Sequence, residues 1–239
     1  MVTKNQIKLV VSLKQKKYRS QHGLFVVEGE KVVRELLNED VRPYLILVDE
    51  PEKANKFEGS ELVDSKTLKQ MSSLTQPNGM LGVFHMDEAK IFSKVDWIVA
   101  LDAVRDPGNL GTIIRLCDWF GIKQLICSQD TVDCYNPKVL QATMGSIARV
   151  QVDYIDLVDY LKKNNQPVYG AFMNGEPVYH ENIPQSGILV MGNEANGISE
   201  EVNRWVTKRI SIPQFGDTTT ESLNVATATA ILLNEIRRR

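Results

Sequence analysis

A chain of 239 residues with a formal net charge of −2 fits one large domain or two small ones. Hydrophobic residues at 43% and charged residues at 24% are ordinary for a globular protein, and no apolar run approaches the roughly 18 to 20 residues of a membrane span. The N-terminus is basic but lacks the apolar core and small-residue cleavage site of a secretory signal. Cys117, Cys127 and Cys134 form no CxxC, and His22, His85 and His180 are scattered. Buried thiols in a reducing cytoplasm are therefore expected, and a metal site is not.

Charge is unevenly spread. Between Met1 and His22 stand Lys4, Lys8, Lys14, Lys16, Lys17 and Arg19, with no acidic residue among them. Such a run is either a solvated face or the electrostatic footprint of a nucleic-acid contact.

Strand and helix patterns alternate through residues 1–88, the first expected domain. Leu24 to Val27 reads as a strand, and Gly29 turns it into a helix carrying Val32, Val33, Leu36 and Leu37. Tyr44 to Val48 and Glu61 to Val63 read as further strands. Ser65 is the expected cap of a helix bearing Leu68, Met71 and Leu74, and Gly79 to Phe84 is a last strand. This is a small α/β unit with neither a phosphate loop nor a dinucleotide fingerprint. Residues 87–94 are charged and read as a linker.

The second expected domain, residues 95–239, is also α/β. Strand Trp97 to Leu101 runs into Asp106-Pro107-Gly108-Asn109 and a helix from Thr112 to Phe120. Asn109 carries a donor and an acceptor, and Arg115 lies one helical turn in, able to reach over the same corner. Strand Gln124 to Cys127 follows. Asn136-Pro137 then opens a helix that ends by Gly145. Strands near Val150 to Val152 and Val168 to Phe172 flank a helix from Leu157 to Lys162. The apolar strand Gly187 to Met191 ends in Gly192-Asn193-Glu194-Ala195-Asn196-Gly197, with Ser199 capping the next helix. A strand, a Gly-bounded loop and a helix make a common ligand position in an open α/β sheet.

The last stretch begins with the strand Ile210-Ser211-Ile212, stopped by Pro213. After a polar turn, Ser222 is the expected N-cap of a terminal helix. Leu223, Ala226, Ala230, Leu233 and Ile236 recur at helical spacing and predict its buried face. A capped terminal helix alone would account for this stretch. Three successive strand-to-helix corners with polar residues call for more.

Their order and wording resemble the three motifs of the SpoU (TrmH-like) RNA 2′-O-methyltransferases of the SPOUT superfamily. DPGNLGTIIR is similar to the first motif, LVMGNEANGIS to the second, and ISIP with ESLNVATATAILLNE to the third. NPKVLQATMGS resembles an intermediate family segment. GLFVVEGEKVVRELL resembles, more faintly, the L30e-like substrate-binding domain that precedes many members.

The resemblance implies an α/β fold with a deep trefoil knot in the C-terminal domain, an exception to the rule against threaded chains. It implies S-adenosyl-L-methionine as cofactor, held by Thr143, Gly192, Ile212 and Leu223, and RNA, ribosomal rather than transfer RNA, as substrate. Asn109, Arg115, Glu194, Ser222 and Asn224 match the family's polar positions around the reaction centre. Gln214 and Ala226 depart from the family's usual Met and Ser, without removing a group assigned to chemistry. A homodimer paired through the knot and the C-terminal helix is also implied. A ribose 2′-oxygen would attack the sulfonium methyl group in line, leaving the protein to align the reactants and handle one proton. A guanidinium holds its proton in proteins, so Arg115 suits a phosphate or a developing alkoxide better than the role of base. Glu194 would orient Arg115 or take the proton. Two other readings stand beside this one. A non-catalytic RNA-binding protein of the same fold is opposed by the intact polar positions. A small-molecule nucleotide enzyme is opposed by the missing phosphate loop.

Overall fold

Two sheets organise the chain, each in its own unit. The computed structural model describes residues 2–86, 96–216 and 222–238. One unit comprises residues 1–88 and 133–148, the other residues 89–132 and 149–239. The expected second domain, 95–239, runs through 133–148, and the contacts of this segment group it with the first unit. Its side chains explain it. Leu140 and Ala148 join Phe25, Val27, Val32 and Phe84 in one core, and Tyr135 packs on Phe25 with ring centroids 4.7 Å apart.

The first unit opens with two helices that sequence patterning left unassigned, α1 (Lys4–Ser12) and α2 (Lys16–His22). Thr3 and Gln6 form a capping box at the start of α1, satisfying donors that a helix N-terminus leaves orphaned. Val10 and Leu13 are buried with Leu24, Leu45 and Leu47. Lys4, Lys8, Lys14, Lys16 and Lys17 are exposed, but Arg19 is not. Its guanidinium donates to the carbonyls of Leu13 and Lys14, each at 2.9 Å, and to Asp133. Arg19 thus ties the α1–α2 junction to the 133–148 segment.

The sheet follows as β1 (Leu24–Glu28), α3 (Glu30–Asn38), β2 (Pro43–Val48), α4 (Pro51–Lys56), β3 (Glu61–Leu62), α5 (Ser65–Met71) and β4 (Met80–His85). The strand order is β1-β4-β2-β3, with β4 antiparallel to both neighbours. Gly29 adopts φ 96° between β1 and α3, a conformation that favours glycine. Asp64 rather than Ser65 caps α5 by accepting from the Thr67 amide at 2.9 Å, so the helix starts as expected with its cap one residue earlier.

The second unit begins with β5 (Trp97–Leu101), α6 (Pro107–Trp119) and β6 (Gln124–Cys127). Helix α7 (Pro137–Thr143), capped by Asn136, belongs to the first unit. The second unit resumes with β7 (Gln151–Tyr154), α8 (Leu157–Lys163), β8 (Val168–Pro177), β9 (Gly187–Met191), α9 (Glu200–Asn203), β10 (Lys208–Ser211) and α10 (Val225–Arg237). Its six strands run in the order β10-β8-β9-β5-β6-β7, and every neighbouring pair is parallel. Every residue of β5 and β9 is buried, as expected of central strands covered on both faces.

α6 and α10 are each 13 residues long and pack together. They run in the same direction, because residues at both ends are tied. Asn224 bonds Asn109 at the N-terminal ends. At the other end Arg237 donates to the Phe120 carbonyl at 2.9 Å and pairs with Asp96. Among the described residues, no helix is long and apolar enough to cross a membrane.

Candidate active site

The strand order explains where a site forms. β5 and β9 are neighbours, yet after β5 the chain turns towards β6, and after β9 it passes through α9 to β10 on the other side. Their two loops diverge from adjacent C-terminal ends, the position where doubly wound sheets bind ligands. The loops are Asp102 to Asp106 and Gly192 to Ser199.

Asn109 joins the corners at this end of the sheet. Asp106 caps α6 by accepting the Asn109 amide at 2.8 Å, which fixes the first helical turn. Asn109 Nδ2 donates to Glu194 Oε1 at 2.7 Å. Its Oδ1 accepts from Asn224 Nδ2 at 2.9 Å. One amide therefore bridges residues of the second and third corners.

Two further bonds stitch the β5 loop to the β9 loop. The buried Asp102 carboxylate accepts from the Ser199 amide at 2.7 Å. Asn193 Nδ2 donates to the Ala103 carbonyl at 2.7 Å, while Asn193 Oδ1 accepts from the amides of Ala195 and Asn196. Asn193 and Gly197 also exchange backbone bonds of 2.9 Å, which close the β9 loop upon itself. That closure explains Gly192. A Cβ there would lie 2.2 Å from the Gly197 carbonyl carbon, so no side chain fits.

The β6 loop buttresses the other side. Ser128 Oγ accepts from the Ala103 amide at 2.9 Å and donates to Asp130 Oδ1 at 2.7 Å. Asp130 also takes Arg105 at 3.1 Å. The Ser128 hydroxyl, with Arg105 behind it, holds the Asp130 carboxyl below its usual range against partial burial.

The residues expected from sequence divide into groups. Asn109, Glu194 and Asn224 are joined by direct hydrogen bonds. Arg115 is exposed on α6 and has no hydrogen bond or ion pair among the described residues. Ser222 is exposed and precedes the helix it was expected to cap. The N-cap is Asn224, whose Oδ1 accepts from Ala226 at 3.0 Å and Thr227 at 3.2 Å. Leu223 also lies outside the helix and is 47% exposed, while Thr229 occupies the buried face instead. Ala226, Leu233 and Ile236 are buried, and Ala230 is half-buried. Residues 217–221, part of the expected polar turn, lie outside the described residues, as do 87–95, the expected linker.

Of the cofactor candidates, Gly192 and half-buried Ile212 follow the C-terminal ends of β9 and β10, strands that β8 separates, and Leu223 adjoins Asn224. Thr143 is different. It is fully buried in the first unit, and its hydroxyl donates to the Leu140 carbonyl at 2.8 Å. Sequence reasoning missed Asp102, Ala103, Ser128 and the bridging role of Asn193. Asn193 stood in a marked loop, but nothing local distinguishes Ala103 or Ser128.

Comparison with known proteins fits this arrangement. Residues 96–234 match the model of the SpoU rRNA Methylase family, and residues 4–82 match the MRM3-like substrate binding domain. A 23S rRNA (guanosine(2553)-2′-O)-methyltransferase of Bacillus subtilis is 33% identical, over 98% of this chain and 97% of its own. A 23S rRNA (guanosine-2′-O-)-methyltransferase of Neisseria meningitidis is 27% identical, over 90% and 86% respectively. Among solved structures, a Porphyromonas gingivalis protein assigned to the TrmH family of RNA methyltransferases superposes with a TM-score of 0.90 at 39% identity, covering 100% of this chain and 99% of its own. An AdoMet-bound rRNA methyltransferase from Sinorhizobium meliloti gives 0.85 at 29% identity, covering 100% and 96%. With three corners drawn together by Asn109 in a parallel sheet of this order, and with these matches over the whole chain, the protein belongs to the SpoU rRNA methylase family.

Proposed function

We propose that this chain transfers a methyl group from S-adenosyl-L-methionine to a ribose 2′-hydroxyl of ribosomal RNA. The observation that carries the reading is the Glu194–Asn109–Asn224 chain, which assembles polar groups from three separate loops at the ligand end of the sheet. The relatives named above supply the choice of ribosomal RNA.

The residues present fit the cofactor in kind. Gly192 and Ile212 stand just past the C-terminal ends of β9 and β10, and Ile212 and Leu223 offer accessible apolar surface. Bound there, S-adenosylmethionine supplies a methyl group already activated by its sulfonium. The protein's own residues do the rest. Arg115, exposed on α6, would hold the phosphate beside the reacting ribose, stabilising the alkoxide as it forms. Asn109 fixes one oxygen of Glu194, so the carboxylate is aimed before RNA arrives and would accept the 2′-hydroxyl proton. Asn224 holds Asn109 in turn, and Ser222 would meet the substrate beside it.

The finer architecture belongs to the same proposal. The loops after β9 and β10 would form a trefoil knot, the first unit would be an L30e-like RNA-binding domain, and two copies would pair through the knot and α10. A cytoplasmic setting suits three buried cysteines that form no disulfide among the described residues. The test is to incubate purified protein with labelled S-adenosylmethionine and ribosomal RNA, then map 2′-O-methyl groups. A single new site is expected. RNA binding without cofactor binding or transfer would leave the non-catalytic reading instead.

A further inference from the structure

Ala103 adopts φ 58°, a left-handed conformation in which Cβ crowds the backbone of any L-residue other than glycine. It sits between the end of β5 and the Asp106 cap of α6, six residues before Asn109. Its neighbours Asp102 and Val104 are both buried. Its two backbone polar groups are held from opposite sides. Ser128 Oγ accepts the Ala103 amide at 2.9 Å, and Asn193 Nδ2 donates to the Ala103 carbonyl at 2.7 Å.

The polarity of this clamp follows from its partners. Ser128 accepts from Ala103 and donates to Asp130 at 2.7 Å, with Thr131 Oγ1 3.1 Å away, and Arg105 closes that end. Asn193 spends its Oδ1 on the Ala195 and Asn196 amides, so only Nδ2 can face Ala103. Each donor meets an acceptor, and reversing either side chain would break several bonds at once. Strain that is held by its surroundings is common next to functional sites.

We infer that Asn193 and Ser128 are positioning residues: they lock Ala103 in its left-handed form and so set where α6 starts and where Asn109 aims Glu194. Neither needs to touch substrate. The inference rests on the methyl-transfer reading only for its kinetic consequence. The clamp itself is a statement about the Ala103 backbone.

Asn193→Asp keeps the acceptor for Ala195 and Asn196 but loses the donor to Ala103 and the longer 3.5 Å bond to Glu194. Ser128→Ala removes the opposite jaw. In both variants, hydrogen exchange across residues 102–109 should accelerate while the melting curve stays cooperative. The single-turnover methyl-transfer rate should fall by about 10- to 100-fold, the scale of a small misplacement of reacting groups. Glycine adopts a positive φ freely, so Ala103→Gly alone should transfer at the parent rate. Added to Asn193→Asp or Ser128→Ala, it should recover most of the lost rate. A residue needed only for stability, or Asn193 acting through charge on Glu194, predicts no such recovery. Folded single variants with unchanged exchange and rate would overturn the inference, as would double variants as slow as the singles. If the parent protein transfers no methyl group to RNA, the functional reading fails and the exchange measurement alone decides the clamp.

Discussion

Asn224 uses both ends of one amide for different purposes. Its Oδ1 caps α10 through the Ala226 and Thr227 amides, and its Nδ2 donates to Asn109 Oδ1 at 2.9 Å. The two roles separate by substitution. Asn224→Asp keeps a good cap and loses the donor, so stability should hold while methyl transfer falls. Asn224→Ala loses both and should also cost about 1 kcal/mol of stability, the usual value of a polar N-cap. Thermal unfolding with single-turnover rates checks the pair. Equal activity in Asn224→Asp and the parent would remove the Asn109 bridge from the mechanism.

Arg115 is exposed and has no hydrogen bond or ion pair among the described residues, so its removal should leave stability within about 0.5 kcal/mol. If it stabilises charge on the reacting oxygen, Arg115→Ala should slow transfer by about 10²-fold or more. Arg115→Lys keeps the charge and loses the planar fork, so partial activity is expected. A new pH dependence of the chemical step in the Lys variant would instead assign this position the role of base. Rates measured across pH distinguish the two.

Asp96 links the start of β5 to the end of α10. The Arg237 hydrogen bond holds its carboxyl below the usual range, against partial burial. A carboxyl depressed in the folded state contributes stability above its unfolded pKa, about 3.9, and loses it as pH falls through the lower folded value. The parent should therefore destabilise more steeply than Asp96→Asn between about pH 4 and the acid end of the transition. Parallel acid titrations followed by circular dichroism test this, and superimposable acid limbs would contradict it.

The first unit includes residues 133–148, so cutting the chain after Met86 cannot be neutral. Leu140 and Ala148 would lose Phe25, Val27 and Val32, and burying one such leucine is worth about 1.5 to 3 kcal/mol. The protein lacking residues 1–86 should melt without cooperativity. Replacing 133–148 by a short Gly/Ser link in that truncation should restore solubility. A sharp melting transition with 133–148 still in place would show that the segment does not depend on the first unit.

Pairing of two copies would cover Trp119, which is 84% exposed on the same helix as Arg115. An indole left in water is a large apolar surface, and closed two-fold pairing is the commonest way to bury one. Light scattering should give a dimer mass, and Trp119→Asp should shift it towards the monomer. A monomer mass for the parent at micromolar concentration would rule the pairing out.

Local chemistry determined much of this protein from sequence alone. The apolar runs at 97–101, 124–127 and 187–191 became strands with those bounds, and Asn136 and Ser199 capped helices as their residue types require. The three polar corners were visible for the same reason, since strand, turn and cap are written within a few residues of each other. What tertiary structure alone decided involves groups far apart in the chain. Asn109 meets Glu194 across 85 residues and Asn224 across 115, contacts set by strand order and by the packing of α10 on α6. No periodicity reports either. Ser222 and Asn224 are both good caps by type, and the entry path of the chain into α10 chose between them. Ala103 carries no sign of a positive φ, because alanine does not favour one. Its conformation exists only where Ser128 and Asn193, brought in by neighbouring strands, hold both faces of the peptide.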